Sequence, residues 1–372
     1  MKNKRVLINA TNLHVGGGVQ VAASFIDELS KVRLHDQVEL TVLCSSKVNE
    51  NLSSTTDIGA FDSFKVIDIY GYKSPNKEVL SLFLGFHTVF TVFGPIYFQL
   101  DCNHHVCGFA QPWICFGNNK TFGLLPVKER LLSKLKFFLQ KVYFRKADSL
   151  VVETISVKES LHNKSIYNKP IYVVDNCVSS TLPKLELVDA INEKREITLG
   201  FIGRPYAHKN LKILNEVSDL LEKISNTKYR FLFTLNEGEM KSLGFDTREN
   251  FSTLGALSIE ECSRFYESID GLIFPSLLEC FSASPLEAMH FGKPVFCSNL
   301  DFVSSICKDN VFYFDPWDAL SIANTVELGF SDLKVLNEKV EQAHEYVSGL
   351  PTAKDRSNSY ISIILQKTIK DS

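Results

Sequence analysis

Two glutamates, Glu279 and Glu287, stand eight residues apart in the stretch FPSLLECFSASPLEAMHFGKPV, which runs from Phe274 to Val295. Paired carboxylates can serve as acid and nucleophile in hydrolysis, or they can accept hydrogen bonds from the hydroxyls of a ligand. Glu279 sits beside Cys280 and Phe281 in apolar surroundings, with no structural duty written beside it. Glu287 has such a duty available. Ser284-Pro285-Leu286-Glu287 reads as a helix start, with Ser284 as N-cap, Pro285 at the first position and Glu287 closing a capping box. A second cluster lies in GRPYAHKNL, where Arg204 and Lys209 stand between a strand and a helix. An arginine fork and a lysine point charge there suit a diphosphate, and that reading is preferred to solvated surface charge. Both cations are expected to be partly exposed. A third is HVGGGVQ, with Gly16, Gly17 and Gly18 after the first strand. Glycines let backbone approach a ligand, and a helix start offers N–H groups to an anion. A plain tight turn accounts for them equally, since the dinucleotide fingerprint and its distant acid are absent. Finally, Cys102, His104, His105 and Cys107 crowd together, but no second cluster with zinc spacing accompanies them, so no metal is expected.

The elements that must position these residues alternate between strand and helix, which predicts parallel sheets in an α/β fold. RVLINA opens the chain as an apolar run, and the glycine turn then starts a helix. VELTVLCSS, FKVIDIY, DSLVVET and PIYVVDNCV read as further strands. The charged, irregular segment 179–196 reads as a linker, after which ITLGFIGR repeats the strand-then-turn opening. YRFLFTL, GLIFPS and KPVFCSN continue the second series. Helices are expected over Leu211 to Ile224, about Ile259 to Ser268 with Ser258 and Glu261 as a capping box, and Pro285 to Phe291. The predicted organisation is a domain over 1–178, the linker, a second domain over 197–345, and a helical segment over 346–372 packing back on the first. In such sheets ligands bind beyond the carboxyl ends of strands, where every motif above lies.

These motifs together carry a resemblance. The stretch from Phe274 to Val295 is similar to the signature of retaining glycosyltransferases of family 4: two glutamates with seven residues between them, then Ala288-Met289, Gly292 and Pro294-Val295. The resemblance extends to FIGRPYAHKNL and to HVGGGVQVAA, so it touches both halves in the right order. It implies the GT-B fold, two doubly wound Rossmann-like domains facing across a cleft, with the first on the acceptor side and the second binding nucleotide sugar. It implies roles by position. Glu287 would hold ribose hydroxyls, Glu279 would lie by the donor sugar, and Arg204 and Lys209 would bind the diphosphate. Gly16 to Gly18 would close over phosphates or acceptor. Backbone N–H groups of Ser282 and Ala283 would face a phosphate. A histidine near the donor sugar would be His104 or His105, with His105 preferred because it directly precedes an apolar turn. The chain departs from the family where Cys280-Phe281-Ser282 replaces Gly-Phe-Gly, which leaves the donor open.

The implied activity is retaining, metal-independent transfer of a hexosyl group from a nucleotide-diphosphate sugar, with no cofactor. The acceptor would be a polyprenyl-diphosphate-linked glycan, because TVFGPIYF, GFAQPW and PTAKDRSNSY resemble family members that build O-antigen or capsule. Two rivals stand beside it: a glycoside hydrolase using Glu279 and Glu287, and a scaffold that binds nucleotide sugar without transfer. The 372 residues favour two domains, and a net charge of −3 argues against nucleic acid as a partner. The nine cysteines read as reduced thiols of a cytoplasmic protein. MKNKRVLINATN lacks an apolar export core. Val79 to Phe98 is apolar, but Gly85, His87 and Gly94-Pro95 interrupt it, so a short helix and a buried strand are expected there rather than a membrane span. Between 128 and 146 seven cations face one acid, Glu129, with leucines and aromatics interleaved. That helix would either lie on an anionic membrane at the inner face of the plasma membrane or pack on the sheet.

Overall fold

The computed structural model describes residues 4–32, 34, 38–117, 119–178, 182, 191–192, 196–258 and 261–370. The chain divides into two compact units, one of 1–117, 128–177 and 351–372, the other of 118–127 and 178–350. Most of the expected linker, 179–196, lies outside the described residues, as do Ile259 and Glu260.

The first unit is built on a parallel sheet of β1 (Lys4–Ala10), β2 (Val38–Cys44), β3 (Ser63–Val66), β4 (Leu84–Thr91), β5 (Asp101–Gly108), β6 (Ser149–Val152) and β7 (Ile171–Val173). Their order is β3-β2-β1-β4-β5-β6-β7. Val6, Leu7, Ile8 and Ala10 are wholly buried, as expected for a central strand covered on both faces. The order reverses between β1 and β4, the switch point at which such sheets open a crevice beyond their carboxyl ends. Helix α1 (Gly17–Ser30) follows β1 and buries Val21, Phe25, Ile26 and Leu29. Helix α2 (Val127–Phe144) buries Gln140 and Phe144, and the Phe144 ring meets Phe109, just past the end of β5, at 4.7 Å. The C-terminal helix, Ala353–Leu365, lays Tyr360 against Phe25 and Phe90, and Arg356 donates to Asn176.

The interrupted apolar stretch forms a short helix, Lys77–Ser81, and then β4. Among the described residues no helix is long and apolar enough to cross a membrane. Strand β5 is a correction to the sequence reading. DCNHHVCG carries little strand-like pattern, yet it pairs with both β4 and β6, so His105 lies within a strand and not before a turn.

The second unit repeats the plan with β8 (Glu196–Phe201), β9 (Lys228–Phe233), β10 (Phe251–Thr253), β11 (Gly271–Phe274), β12 (Val295–Ser298) and β13 (Phe312–Phe314), ordered β10-β9-β8-β11-β12-β13. Its switch point falls between β8 and β11. Helix α3 (Ile213–Ile224) lies behind β8 and β9, and α4 (Glu237–Leu243) and α5 (Ser284–His290) follow β9 and β11. Gly200 is required on β8: a Cβ there would come within 2.7 Å of both Ile269 and Phe265. The helix expected from Ile259 is described over Cys262–Glu267, with Glu261 accepting from the Ser258 N–H at 2.9 Å. All nine cysteines are free, and all but Cys102 and Cys262 are buried.

Candidate functional site

The predicted site residues divide between the units. Arg204, Lys209, Glu279, Ser282, Ala283 and Glu287 belong to the second, and Gly16, Gly17, Gly18 and His105 to the first.

In the second unit the loop after β8 is fastened to the loop after β11. A turn of 3-10 helix, Ala207–Lys209, ends at Asn210, whose left-handed backbone (φ 57°) turns its side chain to donate to the Pro316 carbonyl at 2.7 Å. The His208 carbonyl accepts from the Leu277 N–H at 2.7 Å. These fixings bring the Lys209 ammonium onto the Glu279 carboxylate, and onto the face of Phe274 at 5.3 Å. The lysine side chain is only 13% exposed and the glutamate 12%. Lys209 keeps only a small part of the exposure expected for it, because its partner stands at the end of the neighbouring strand. Arg204 does meet that expectation, being 50% exposed and paired with Glu239 at 2.8 Å. Glu239 also closes the capping box of α4 by accepting from the Asn236 N–H at 2.9 Å, so a helix start holds it against the arginine.

Glu287 is not a capping residue. Helix α5 begins one residue earlier than expected, with Ala283 at its N-cap and Ser284 inside the first turn. The Glu287 carboxylate instead accepts from the Tyr266 hydroxyl at 2.6 Å, in a buried position. Burial raises its pKa, with the tyrosine bond opposing. A buried carboxyl with one protein donor keeps acceptor capacity for ligand hydroxyls. Ser282 and Ala283 are half-buried just ahead of it. His208 was not singled out in the sequence. Burial pushes its imidazole down to about 4, against the opposing charge of Glu279. Its place directly before Lys209 was the signal available.

In the first unit, Gly16 takes φ 72° at the N-cap of α1, a conformation that favours glycine, and no side chain caps the helix there. A Cβ on Gly17 would meet nothing, whereas one on Gly18 would touch Leu13 and Phe93. His105 points into the sheet. Its Nε2 bonds Thr91 Oγ1 at 3.1 Å and its own N–H donates to Asp148 at 2.9 Å. Burial drives its imidazole down to about 4. Because the folded pKa lies below the ordinary value of 6.5, the folded chain refuses a proton that the unfolded chain accepts, and stability drops as pH falls from 6.5 towards 4. That loss reaches about 3 kcal/mol for a shift of this size. Melting curves across this window should fall less steeply for His105→Gln than for the native chain. Parallel curves would deny the buried neutral imidazole.

Beyond the carboxyl ends of β1 and β4 the first unit also holds a cavity of about 350 Å³, lined among others by His14, Tyr72, Lys73, Tyr97, Lys136 and Gln140. The Tyr72 and Tyr97 rings lie 4.4 Å apart, and Gln140 donates to the Tyr97 hydroxyl at 3.2 Å. Lys136 and Gln140 come from α2, so that helix forms one wall. No group of three or more His, Cys, Asp or Glu that could hold a metal ion occurs among the described residues.

Residues 186–346 match the family model described as glycosyl transferases group 1. The chain is 22% identical over 228 residues to the O-antigen chain mannosyltransferase RfbU of Salmonella typhimurium, covering 57% of this chain and 60% of that protein. It is 24% identical over 254 residues to an uncharacterized 41.2 kDa protein in the cps region of Klebsiella pneumoniae, covering 65% and 68%. Among solved structures it resembles WaaG, a glycosyltransferase involved in lipopolysaccharide biosynthesis, with TM-score 0.67 and 14% identity over 96% of this chain and 99% of that one. That likeness is one of fold: two Rossmann-like parallel-sheet domains of the GT-B type.

Proposed function

We propose that the chain, whose residues 186–346 match the family model described as glycosyl transferases group 1, is a retaining hexosyltransferase of bacterial surface polysaccharide synthesis. The donor is a nucleotide-diphosphate sugar. The acceptor is a hydroxyl of a polyprenyl-diphosphate-linked glycan, which sets the reaction at the inner face of the plasma membrane. The names of the O-antigen and cps-region relatives support this reading. The observation that carries it is the charge cluster at the β8–β11 switch point, where Lys209 is locked on Glu279 and Arg204 stands exposed beside it in sequence. Buried Glu287 follows on α5.

In this reading Glu287 accepts from the ribose hydroxyls and Glu279 from those of the donor sugar. Arg204 and Lys209 draw negative charge as the diphosphate departs, and that stabilisation is the main catalytic term. The acceptor approaches on the face the diphosphate leaves, and the departing phosphate takes its proton. The cavity of the first unit suits the acceptor: aromatic rings for a sugar face, and Lys73 and Lys136 for phosphate. A hydrolase would have no use for Arg204 and Lys209, which is why that alternative ranks second.

A thermal-shift panel of UDP, GDP, dTDP and CMP with their sugar conjugates tests the proposal. A ligand at ~100 times its dissociation constant adds roughly 2.7 kcal/mol. No shift with any nucleotide, together with hydrolysis of a free glycan, would replace transfer by hydrolysis. Arg204→Ala should melt within about 4 °C of the native protein, since an exposed pair contributes roughly 0–1 kcal/mol, yet lose most transfer activity. Native turnover would remove Arg204 from the diphosphate site. Transfer should also persist in EDTA, because the two cations can neutralise the diphosphate themselves. Loss in EDTA with rescue by magnesium or manganese would contradict a metal-independent reaction.

A further inference from the structure

The cavity of the first unit holds two hydrogen-bonding oxygens that the fold leaves unserved. Asn12 donates its Nδ2 to the Phe93 carbonyl at 2.9 Å, and its Oδ1 is buried with no partner. Gln140, only 8% exposed, gives its Nε2 to the Tyr97 hydroxyl, and its Oε1 is likewise buried with no partner. Both residues line the cavity. A buried acceptor without a donor is costly, so these atoms point to a ligand that brings one. A hydroxyl both donates and accepts, so it serves the Gln140 amide whichever way that amide is turned. Tyr72 is 48% exposed, and its ring lies 4.4 Å from that of Tyr97. Burial pushes the Tyr97 phenol up to about 12, so it stays neutral. Lys73 and Lys136 complete the lining with exposed side chains, and among the described residues no Asp or Glu lines the cavity.

We propose that this cavity selects one acceptor sugar that itself carries a negative charge. The sugar's hydroxyls bond Asn12 and Gln140, its apolar face lies on Tyr72, and its anion sits at Lys73 and Lys136. That the sugar belongs to an acceptor rests on the transfer reaction proposed above; the binding site itself does not. A neutral sugar would leave both lysines unanswered, and a bare anion would leave the amides and the ring unused. All these groups line one cavity of about 350 Å³, so the charge belongs to the bound sugar and not to one several residues along a glycan. Two sugars have this chemistry: a hexuronic acid within the glycan, and the first sugar, with the lipid diphosphate on its anomeric oxygen. The second fits better, because two lysines match a diphosphate, whereas one carboxylate answers only one of them. The acceptor is then a short glycan still close to its lipid diphosphate. The reaction that must supply it is sugar 1-phosphate transfer. There an oxygen of polyprenyl phosphate attacks the sugar-bearing phosphorus of a nucleotide-diphosphate sugar, the new diphosphate bond forms, and nucleoside monophosphate leaves.

The test is ligand-observed NMR titration of the full chain. The probes are glucose, galactose and N-acetylglucosamine, each free and as its 1-phosphate, with glucuronic acid, galacturonic acid and inorganic phosphate. At least one 1-phosphate should bind roughly tenfold tighter than both its free sugar and phosphate. Lys73→Gln with Lys136→Gln should bring it down to the free sugar, at a near-native melting temperature because both side chains are exposed. Gln140→Met should weaken free sugar and 1-phosphate by the same factor, since the lysines remain; Tyr72→Ala, at an exposed position, should do the same if the methionine variant does not fold. Titrations repeated with the nucleotide that shifts melting should be unchanged. Displacement by that nucleotide would move the 1-phosphate to the donor site and overturn the proposal. So would equal binding of free sugars and their 1-phosphates. A gain confined to the uronic acids would support the charged sugar and overturn its place at the lipid junction. Native nucleotide shifts without a 1-phosphate preference would reject this cavity alone, whereas 1-phosphate binding without any nucleotide shift would reject the transfer reaction alone.

Discussion

Glu287→Gln should keep or raise the melting temperature while weakening nucleotide binding roughly ten- to a hundredfold. Glutamine preserves the volume and an oxygen for the Tyr266 hydroxyl, now bonded at 2.6 Å. It removes a carboxyl whose folded pKa is raised by burial. An acid raised in this way is favoured by folding only when protonated. Its cost therefore grows as pH climbs from the unfolded value of about 4.3 through the folded one, and is fully present above that. The amide has no such cost, so the variant gains most at neutral and alkaline pH. Binding runs the other way. A carboxylate can accept from two ribose hydroxyls beside the tyrosine, whereas an amide offers one oxygen and a misplaced NH₂. Losing a charge-assisted bond costs about 1.5–3 kcal/mol, which is the stated fold-change. Calorimetric titration of the donor nucleotide decides it: native affinity in a folded Glu287→Gln protein would reduce this glutamate to a core residue bonded to Tyr266.

Lys209→Ala should be the most damaging single change at the site, lowering stability by about 3 kcal/mol and removing transfer. The ammonium and the Glu279 carboxylate are both nearly enclosed. Deleting one member of a largely shielded pair leaves the other charge with little compensation. In a unit of this size that shifts melting by roughly 6–12 °C. Lys209→Met combined with Glu279→Gln should recover most of the stability, because a desolvated pair is often no better than neutral groups of similar volume. Activity should not return, since both of the proposed contacts, to diphosphate and to donor sugar, would be gone. A single variant that melts like the native chain would show the pair to be solvated. A double variant that transfers sugar would dismiss the charges from the reaction.

The contrast between Arg204 and Lys209 shows where sequence reading stops. Both stand in one short loop, yet one is half exposed and the other enclosed. Enclosure depends on Glu279, 70 positions away and set at the end of the adjacent strand. Likewise Glu287 fits a capping box by spacing alone. The competing partner, Tyr266, comes from a helix 21 residues earlier and has the shorter reach once the chain is folded. Strand β5 escaped notice because histidines, asparagine and aspartate mask its period. It forms because β4 and β6 offer it a ladder on both sides.

By itself the sequence determined the alternation of apolar strands with helices, the restart at ITLGFIGR, and the placing of each charged motif just beyond a strand. These are local properties, written in runs of neighbouring residues whose burial a parallel sheet demands. Only the tertiary structure decided which carboxylate each cation meets, that Glu287 answers to Tyr266, that His105 bonds inward, and that Lys136 and Gln140 of α2 line the cavity. Those outcomes depend on pairings between distant segments. Hydrogen bonds and ion pairs are short-ranged and directional, so only the packed sheet order sets them.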